Sequence, residues 1–269
     1  MAAKTRRALI EQRVIADGEI DFATLAEEFD VSAMTIRRDV EALEASGIVR
    51  RVVGGAILLR GKAAEPSFET RAAAAAEGKM HIAEAAVDLL QPHETVILDS
   101  GSSVLAVAKA IRGRGLALTI VTPSILVAVE LADEPDTTVL MAGGRVRPGE
   151  LSLIGSETEE TFSRYNCDTY VMGIAGVDSD RGVSEYHREE GSVKRAAMKA
   201  ADRVIVVADE TKLGRVQLMS IAPLSAVDAL VTDGPTDHPA LVGARAVGAN
   251  VVCVPGPGRE AADLGAASA

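Results

Sequence analysis

The N-terminal residues best suited to binding chemistry are two adjacent arginines, Arg37 and Arg38, within the segment MTIRRDVEAL. A guanidinium group can donate two parallel hydrogen bonds to a guanine edge or to a phosphate. Ser32 and Thr35 lie just before them and add hydroxyl groups that can hydrogen-bond phosphate. An arginine pair by itself is typical of a solvated helix face, so the neighbouring elements decide what these side chains do.

A second group of candidate binding residues follows the apolar runs in the middle and later parts of the chain. Its members are small, hydroxyl-bearing or charged, and several stand where a helix would begin. Free backbone N–H groups at such a position favour a phosphate or a carboxylate. These residues are Asp99, Ser100, Gly101, Ser102, Ser103, Thr122, Ser124, Gly143, Gly144, Gly173 and Lys212. Each segment alone is ordinary turn chemistry, but together they favour a small anionic ligand.

Three short helices are predicted to position the arginine pair. The segment TRRALIEQRV predicts a first helix with Leu9, Ile10 and Val14 on its buried face and its arginines, including Arg6, on the surface. The segment FATLAEEF predicts a second helix. Small Ala26 lies where this helix would meet a third one, as in a helix-turn-helix.

The turn and the third helix have their own signals. Asp30 tolerates left-handed backbone geometry, and Ser32 is a good N-cap. Apolar Ile36, Val40 and Leu43 recur at helical spacing, so they are predicted to be buried. This arrangement turns Thr35 and Arg38 outward and leaves Arg37 at the flank.

A β-hairpin is predicted after the third helix. Gly47 ends that helix, and IVRRVVGGAILL gives two strand-like runs that join at Gly54 and Gly55. Strand alternation places Arg50 and Arg51 on opposite faces, so at least one of them can lie along a phosphate backbone. Helix, turn, presented helix and hairpin together predict a winged helix-turn-helix that binds double-stranded DNA.

The acidity of the chain does not oppose this interpretation. Residues 1–60 hold nine Lys or Arg against ten Asp or Glu, a net charge of -1, so -10 of the total -11 lies in residues 61–269. Screening limits the reach of a charge to about 8–10 Å at physiological salt. The local balance of the N-terminal region therefore matters more for DNA binding than the total.

The segments VSAMTIRRDVEAL and GIVRRVVGGAI resemble the N-terminal signature of the DeoR family of bacterial transcriptional regulators. This resemblance covers residues 3 to 60. It implies that Ser32, Thr35, Arg37 and Arg38 contact the operator, and that two further arginines support them. The supporting arginines are Arg50 and Arg51. Val53 departs from the family pattern, which often has a histidine or another polar residue before the two glycines.

The boundaries follow from composition. Residues 1–60 form the predicted DNA-binding domain, and the charged, proline-containing stretch at 61–75 is a predicted linker. Residues 76–255 alternate strand and helix patterns, which predicts an α/β domain with a mostly parallel sheet. Ligands bind such sheets at the carboxyl ends of the strands. The Gly- and Ala-rich residues 256–269 are a predicted flexible tail.

The larger domain also resembles a known one. LDSGSS, VTPS, GG, GIAGV and ADRVIVVADETKLG occur in the order found in the DeoR C-terminal sensor domain. The resemblance implies a fold similar to that of ribose-5-phosphate isomerase and a phosphorylated sugar as effector. It also implies that Glu189 or Glu190 holds a sugar hydroxyl group.

Three functions remain open from the residues. The chain contains neither GxxxxGK[ST] nor GxGxxG, which disfavours nucleoside triphosphates and dinucleotides. A sugar-phosphate isomerase-like enzyme with a DNA-binding appendage is one alternative, although MGIAGVD stands where the isomerases carry an acidic loop. A plain protein-interaction module is another. We favour a sensor that binds without turnover.

The expected function is therefore a DNA-binding transcriptional regulator. We expect a repressor of a sugar or carbohydrate operon that a phosphorylated sugar releases from its operator. It is expected to self-associate, to need no metal or cofactor, and to be cytoplasmic, because no signal sequence and no apolar run of about 18 residues is found. No membrane partner is expected.

Overall fold

The computed structural model describes residues 2–45, 47–59 and 65–256, and it divides into two compact units between Ala74 and Ala75. Residues 60–64 of the first domain and linker, and residues 257–269 of the predicted tail, lie outside the described residues. Among the helices described, none is both long enough and apolar enough to cross a bilayer.

The first unit contains helices and a small antiparallel sheet, as predicted. Its described elements are α1 (Ala3–Asp17), β1 (Glu19–Asp21), α2 (Phe22–Glu28), α3 (Ala33–Ala45), β2 (Val49–Val52), β3 (Gly55–Leu58) and α4 (Phe68–Ala73). The strand order is β1-β3-β2. The helix-turn-helix is α2 and α3, and β2 and β3 form the predicted hairpin.

Backbone geometry confirms the predicted turn positions. Asp30 has a φ of 50° between α2 and α3, and Gly47 has a φ of 74° after α3. Gly55 is required for another reason, because a Cβ there would lie 2.1 Å from the carbonyl oxygen of Ile20. The wing can therefore approach β1 only through a residue that has no side chain.

The apolar face of α3 is buried as predicted, whereas the face predicted for α1 is partly wrong. Ile36, Val40 and Leu43 are each at most 5% exposed. On α1, however, Leu9 is 39% exposed while Arg6 is 7% exposed. Arg6 is inside because it has an ionic partner there, which hydrophobic periodicity does not report.

The second unit is an α/β domain. Its described elements are α5 (Ala76–Val87), β4 (Thr95–Leu98), α6 (Ser102–Ile111), β5 (Thr119–Thr122), α7 (Ile125–Leu131), β6 (Thr138–Met141), β7 (Arg145–Arg147), β8 (Ser152–Ile154), α8 (Ser156–Phe162), β9 (Cys167–Gly173), β10 (Gly176–Asp178), β11 (Gly182–Glu185), α9 (Arg188–Lys199), β12 (Ala201–Val207), β13 (Met219–Ala222), β14 (Ala229–Thr232), α10 (Pro239–Ala246) and β15 (Asn250–Cys253).

Parallel strands form the main sheet in the order β15-β14-β12-β9-β4-β5-β6. Both faces are covered, because alternate residues of a strand enter different apolar clusters: Tyr170 and Met172 of β9 belong to one, and Val171 belongs to the other. This arrangement confirms the predicted fold class. Because these strands are parallel, the carboxyl ends of β4, β5, β6, β9 and β12 all lie on the same side of the sheet.

Candidate functional site

The helix α3 presents the predicted arginine pair to solvent. Arg37 and Arg38 are both exposed, and among the residues that the structure describes neither has an ion pair or a side-chain hydrogen bond. Met34 beside them is 56% exposed. The outer surface of α3 is therefore open to a partner in solution.

Ser32 caps the start of α3, and its hydroxyl group contacts that of Thr35 in the first turn. Ser32 Oγ accepts a hydrogen bond from the backbone N–H of Thr35 at 3.2 Å and lies 2.9 Å from Thr35 Oγ1. Ser32 is exposed and Thr35 is half-buried. Since each hydroxyl has one proton and two lone pairs, the cap leaves part of this pair's bonding capacity for a phosphate.

A buried ion pair fixes the opposite side of α3. Arg6 Nε donates to Asp39 Oδ2 at 2.6 Å, and both side chains are less than 10% exposed. Asp39 directly follows Arg38, so α1 holds α3 at the level of the exposed arginines. Buried pairs of this kind contribute more to defining an arrangement than to net stability.

The two wing arginines have different surroundings. Arg51 donates from its backbone N–H and Nε to Glu44, at 2.9 and 2.6 Å, and from Nη1 to Glu41 at 2.6 Å. These hydrogen bonds hold the pKa of Glu44 below its usual value. Arg50 is exposed and has no such partner within the described part of the chain. Val53 at the wing tip is fully exposed.

In the second unit, the predicted binding residues follow the strand ends as expected, but many are engaged internally. Thr122 Oγ1 accepts from the N–H of Ser124 at 3.0 Å, and Ser124 Oγ caps α7 by accepting from Val127 at 3.2 Å. Gly101 has a φ of 104° and is the N-cap of α6, where Ser102 and Ser103 begin the helix half-exposed. The start of α6 is thus more accessible than the start of α7.

The remaining predicted glycines serve packing and backbone contacts. A Cβ on Gly144 would lie 2.0 Å from Thr158 Oγ1, and the carbonyl of Gly143 accepts from the same hydroxyl at 2.7 Å. Gly173 ends β9 and is buried. Its N–H donates to Asp99 at 3.2 Å, so the ends of β4 and β9 are joined there.

A buried lysine, which no sequence pattern singles out, connects these strand ends. Lys194 Nζ donates to the carboxylate of Asp99 and to the carbonyl of Gly173, the latter at 2.8 Å, and lies 3.4 Å from Glu185 Oε2. Burial alone would lower the pKa of Lys194, but Asp99, Glu185 and Glu190 raise it. The ammonium group therefore stays charged and links β4, β9 and β11.

The two glutamates at the start of α9 also differ. Glu190 is buried and accepts from Ser152 at 2.6 Å, with Arg147 Nη1 2.8 Å from its other oxygen. Glu189 is half-buried and binds Arg145 at 2.8 and 2.9 Å. The structure thus places Glu190, rather than Glu189, in the buried charged cluster around Lys194. Glu190 and Lys194 are four residues apart, a spacing that on sequence alone resembles an exposed helix pair.

The last predicted segment follows β12. Asp209 is buried and begins a short 3-10 helix, Glu210–Lys212, that ends in half-exposed Lys212. Burial opposes ionisation of Asp209, but Lys212, Thr211 and Lys79 hold its pKa below the usual value. Lys212 and Lys79 thus lie close enough to this strand end to stabilise the charge of Asp209.

Comparison with known proteins covers both units. Residues 6–61 match the DeoR-like helix-turn-helix domain, and residues 74–234 match the DeoR C terminal sensor domain. The chain is 33% identical over 251 residues to the putative aga operon transcriptional repressor of Escherichia coli O157:H7, covering 93% of each chain. It is also 33% identical over 226 residues to the glycerol-3-phosphate regulon repressor of E. coli K12, covering 84% of this chain and 89% of that protein.

Among solved structures, ribose 5-phosphate isomerase A from Methanocaldococcus jannaschii aligns with 50% of this chain and 53% of its own. The TM-score is 0.38 and the identity is 14%.

Proposed function

The chain belongs to the DeoR family of transcriptional regulators, and from this premise we propose that it represses a carbohydrate operon and leaves its operator when a phosphorylated sugar binds. The observation that carries the DNA-binding part is the exposed Arg37 and Arg38 pair on a helix held from behind by Asp39. Because operator DNA is in the bacterial cytoplasm, the proposal also locates the protein there.

The effector is proposed to bind at the strand ends of the second unit. Support comes from the accessible start of α6 at Ser102 and Ser103 and from half-exposed Lys212, which together offer hydroxyl, backbone N–H and ammonium donors to a phosphate. Glycerol 3-phosphate appears in the name of the E. coli K12 relative. Phosphorylated sugars and sugar alcohols of three or more carbons are therefore the class to test first.

Turnover is not part of the proposal. An isomerase needs a carboxylate that is free to take a proton from a sugar carbon. Glu190, Glu185 and Asp99 are each engaged with a cation or a hydroxyl group. The relatives found are named as regulators.

The proposal includes self-association. Repeated half-sites in an operator are matched by symmetric copies of a protein. Sedimentation of the protein on its DNA tests this step, and a stable monomer on DNA would count against it.

Thermal unfolding with glycerol 3-phosphate, glucose 6-phosphate and ribose 5-phosphate tests the effector, with product analysis on the same samples. Stabilisation without product supports a sensor, since a ligand that binds only the folded state raises the melting temperature. Product would support an isomerase. If no compound stabilises the protein and no product forms, the result would support a protein-interaction module.

The wing arginines are expected to differ in a salt titration. The titration uses the duplex that the wild-type protein selects from random-sequence DNA (the selected duplex). Arg50→Ala should reduce the slope of log affinity against log salt by about 1, because one phosphate contact is lost. Arg51→Ala should change the slope less, because Arg51 is held by Glu41 and Glu44. Equal slope changes in the two variants would contradict this assignment.

Lys212→Ala is expected to raise the phosphosugar concentration needed to release the selected duplex, because an ammonium group that attracts the phosphate is removed. Fluorescence anisotropy of labelled duplex during a phosphosugar titration measures this concentration. Lys109→Ala is the control, since Lys109 is exposed on α6. If the Lys212→Ala variant releases the duplex at the same phosphosugar concentration as wild type, Lys212 is not part of the proposed site.

A further inference from the structure

A buried ion pair joins helix α5 to the strand-end segment after β12. Lys79 Nζ lies 3.7 Å from Asp209 Oδ2, and both side chains are at most 5% exposed. Removing two charges from water is costly, and such a pair seldom increases net stability over apolar packing. A gain in net stability is therefore not a sufficient explanation of this pair.

The carboxylate of Asp209 divides its two oxygens between two elements. Oδ1 accepts from the N–H of Thr211 at 3.1 Å and from the Thr211 hydroxyl, which shapes the segment that carries Lys212. Oδ2 faces Lys79 on α5. One side chain thus links the proposed anion-binding segment to α5.

Helix α5 is in turn connected to the DNA-binding unit by a very short stretch of chain. Only Ala74 and Ala75 separate α4 from α5, and Lys79 is the fourth residue of α5. Ala75 has left-handed backbone geometry, φ 51° and ψ 37°, which is unfavourable for a residue with a Cβ. The helices α4 and α5 are thus joined directly, without a long intervening segment.

The helix α4 belongs structurally to the DNA-binding unit, although the composition of residues 61–75 predicts a linker. Glu11 of α1 is 1% exposed, and its carboxylate accepts from the N–H of Ser67 at 2.7 Å and from the hydroxyl of Thr70 at 2.9 Å. Lys4 of α1 also pairs with Glu69 at 2.5 Å. Because α1 also carries Arg6, which pairs with Asp39 of α3, α1 makes buried contacts with both α4 and α3.

We propose that Lys79 is a positioning residue that couples the effector segment to the DNA-binding unit through its ion pair with Asp209. This inference rests on the proposed function. An anion bound beside Lys212 has the same sign of charge as Asp209 and competes with it for the Lys79 ammonium group. The ligand therefore weakens the pair and releases the start of α5. It binds more tightly to the arrangement in which the pair is broken, and this difference in affinity is what coupling requires.

Removing the pair should mimic the ligand. Lys79→Met is expected to weaken binding of the selected duplex about fivefold or more in the absence of any phosphosugar, since allosteric couplings are typically of that size or larger. Asp209→Asn should act in the same direction. The double variant should bind about as weakly as the weaker single variant, because both changes break one contact. Fluorescence anisotropy measures all four proteins.

The controls separate coupling from damage to the fold. Lys109→Met removes an exposed lysine from α6 and should leave affinity for the duplex within twofold of wild type. Thermal unfolding confirms that each variant is folded, and Asp209→Asn alone carries the test if Lys79→Met does not fold. Lys79→Arg keeps the charge beside Asp209 and should retain wild-type affinity. A purely structural pair would lower the melting temperature and leave duplex affinity unchanged.

The outcomes also distinguish this inference from the proposed function. Folded Lys79→Met and Asp209→Asn variants that bind the selected duplex like wild type would overturn the coupling role and leave the repressor proposal intact. Additive losses in the double variant would overturn it as well. If the wild-type protein selects no duplex, the proposed function is wrong, and this inference, which rests on it, is wrong as well.

Discussion

Arg38→Ala is expected to weaken binding of the selected duplex by about 1–3 kcal/mol and to relax the preference at one base pair. Arg38 is exposed on α3 and has no ion pair among the described residues, so its guanidinium is available for a bidentate contact with a base. Anisotropy titrations with the selected duplex and with single-base variants of it measure both effects.

The matched control for Arg38 is Arg164→Ala. Arg164 is exposed in the second unit and pairs with Glu160 one helical turn away, so its loss should leave duplex affinity unchanged. If Arg38→Ala lowers affinity for every duplex equally, Arg38 contacts a phosphate rather than a base. Unchanged affinity would exclude it from the interface.

Lys194→Met is expected to destabilise the second unit by about 3–5 kcal/mol, because it leaves buried carboxylates without their cation. Asp99 and Glu185 both lie against Lys194 Nζ, and Glu190 is one helical turn away on α9. Urea unfolding monitored by a signal from the second unit measures the change in the free energy of unfolding.

Lys199→Met provides the comparison on the same helix. Lys199 is exposed, so its replacement should change the free energy of unfolding by less than about 0.5 kcal/mol. A Lys194→Met protein as stable as wild type would mean that the three carboxylates are neutral or hydrated without the lysine. The proposed role of Lys194 in joining the strand ends would then be wrong.

Local signals are sufficient to predict helix α3 and the turns that flank it. Left-handed geometry at Asp30, the glycine stop at Gly47 and the spacing of Ile36 and Val40 act over a few residues, so a sequence pattern contains them. The alternation of strand and helix in residues 76–255 predicted the parallel sheet for the same reason. Periodicity identifies elements well when neither tertiary charge pairs nor close backbone approaches override it.

The errors involve charged side chains that are buried by distant partners. Arg6 is buried because it pairs with Asp39, and Leu9 is correspondingly more exposed. The two partners are 33 residues apart, so no local pattern reveals the pair. The burial of Lys194 likewise has no local signal, because its partner Asp99 is 95 residues away in sequence. The sequence predicts a linker where α4 lies, because the packing of α4 depends on Glu11, which by sequence resembles a solvated helix position. Such pairings are properties of the fold and have no local signal.

The most direct test of the account uses one sample of wild-type protein bound to labelled selected duplex. Glycerol 3-phosphate, glucose 6-phosphate or ribose 5-phosphate is added while anisotropy reports the bound DNA and nuclear magnetic resonance follows the sugar. The account predicts that at least one phosphosugar releases the duplex while its own spectrum stays that of the starting compound. Conversion of the sugar, or a duplex that stays bound at every concentration of all three, would contradict it.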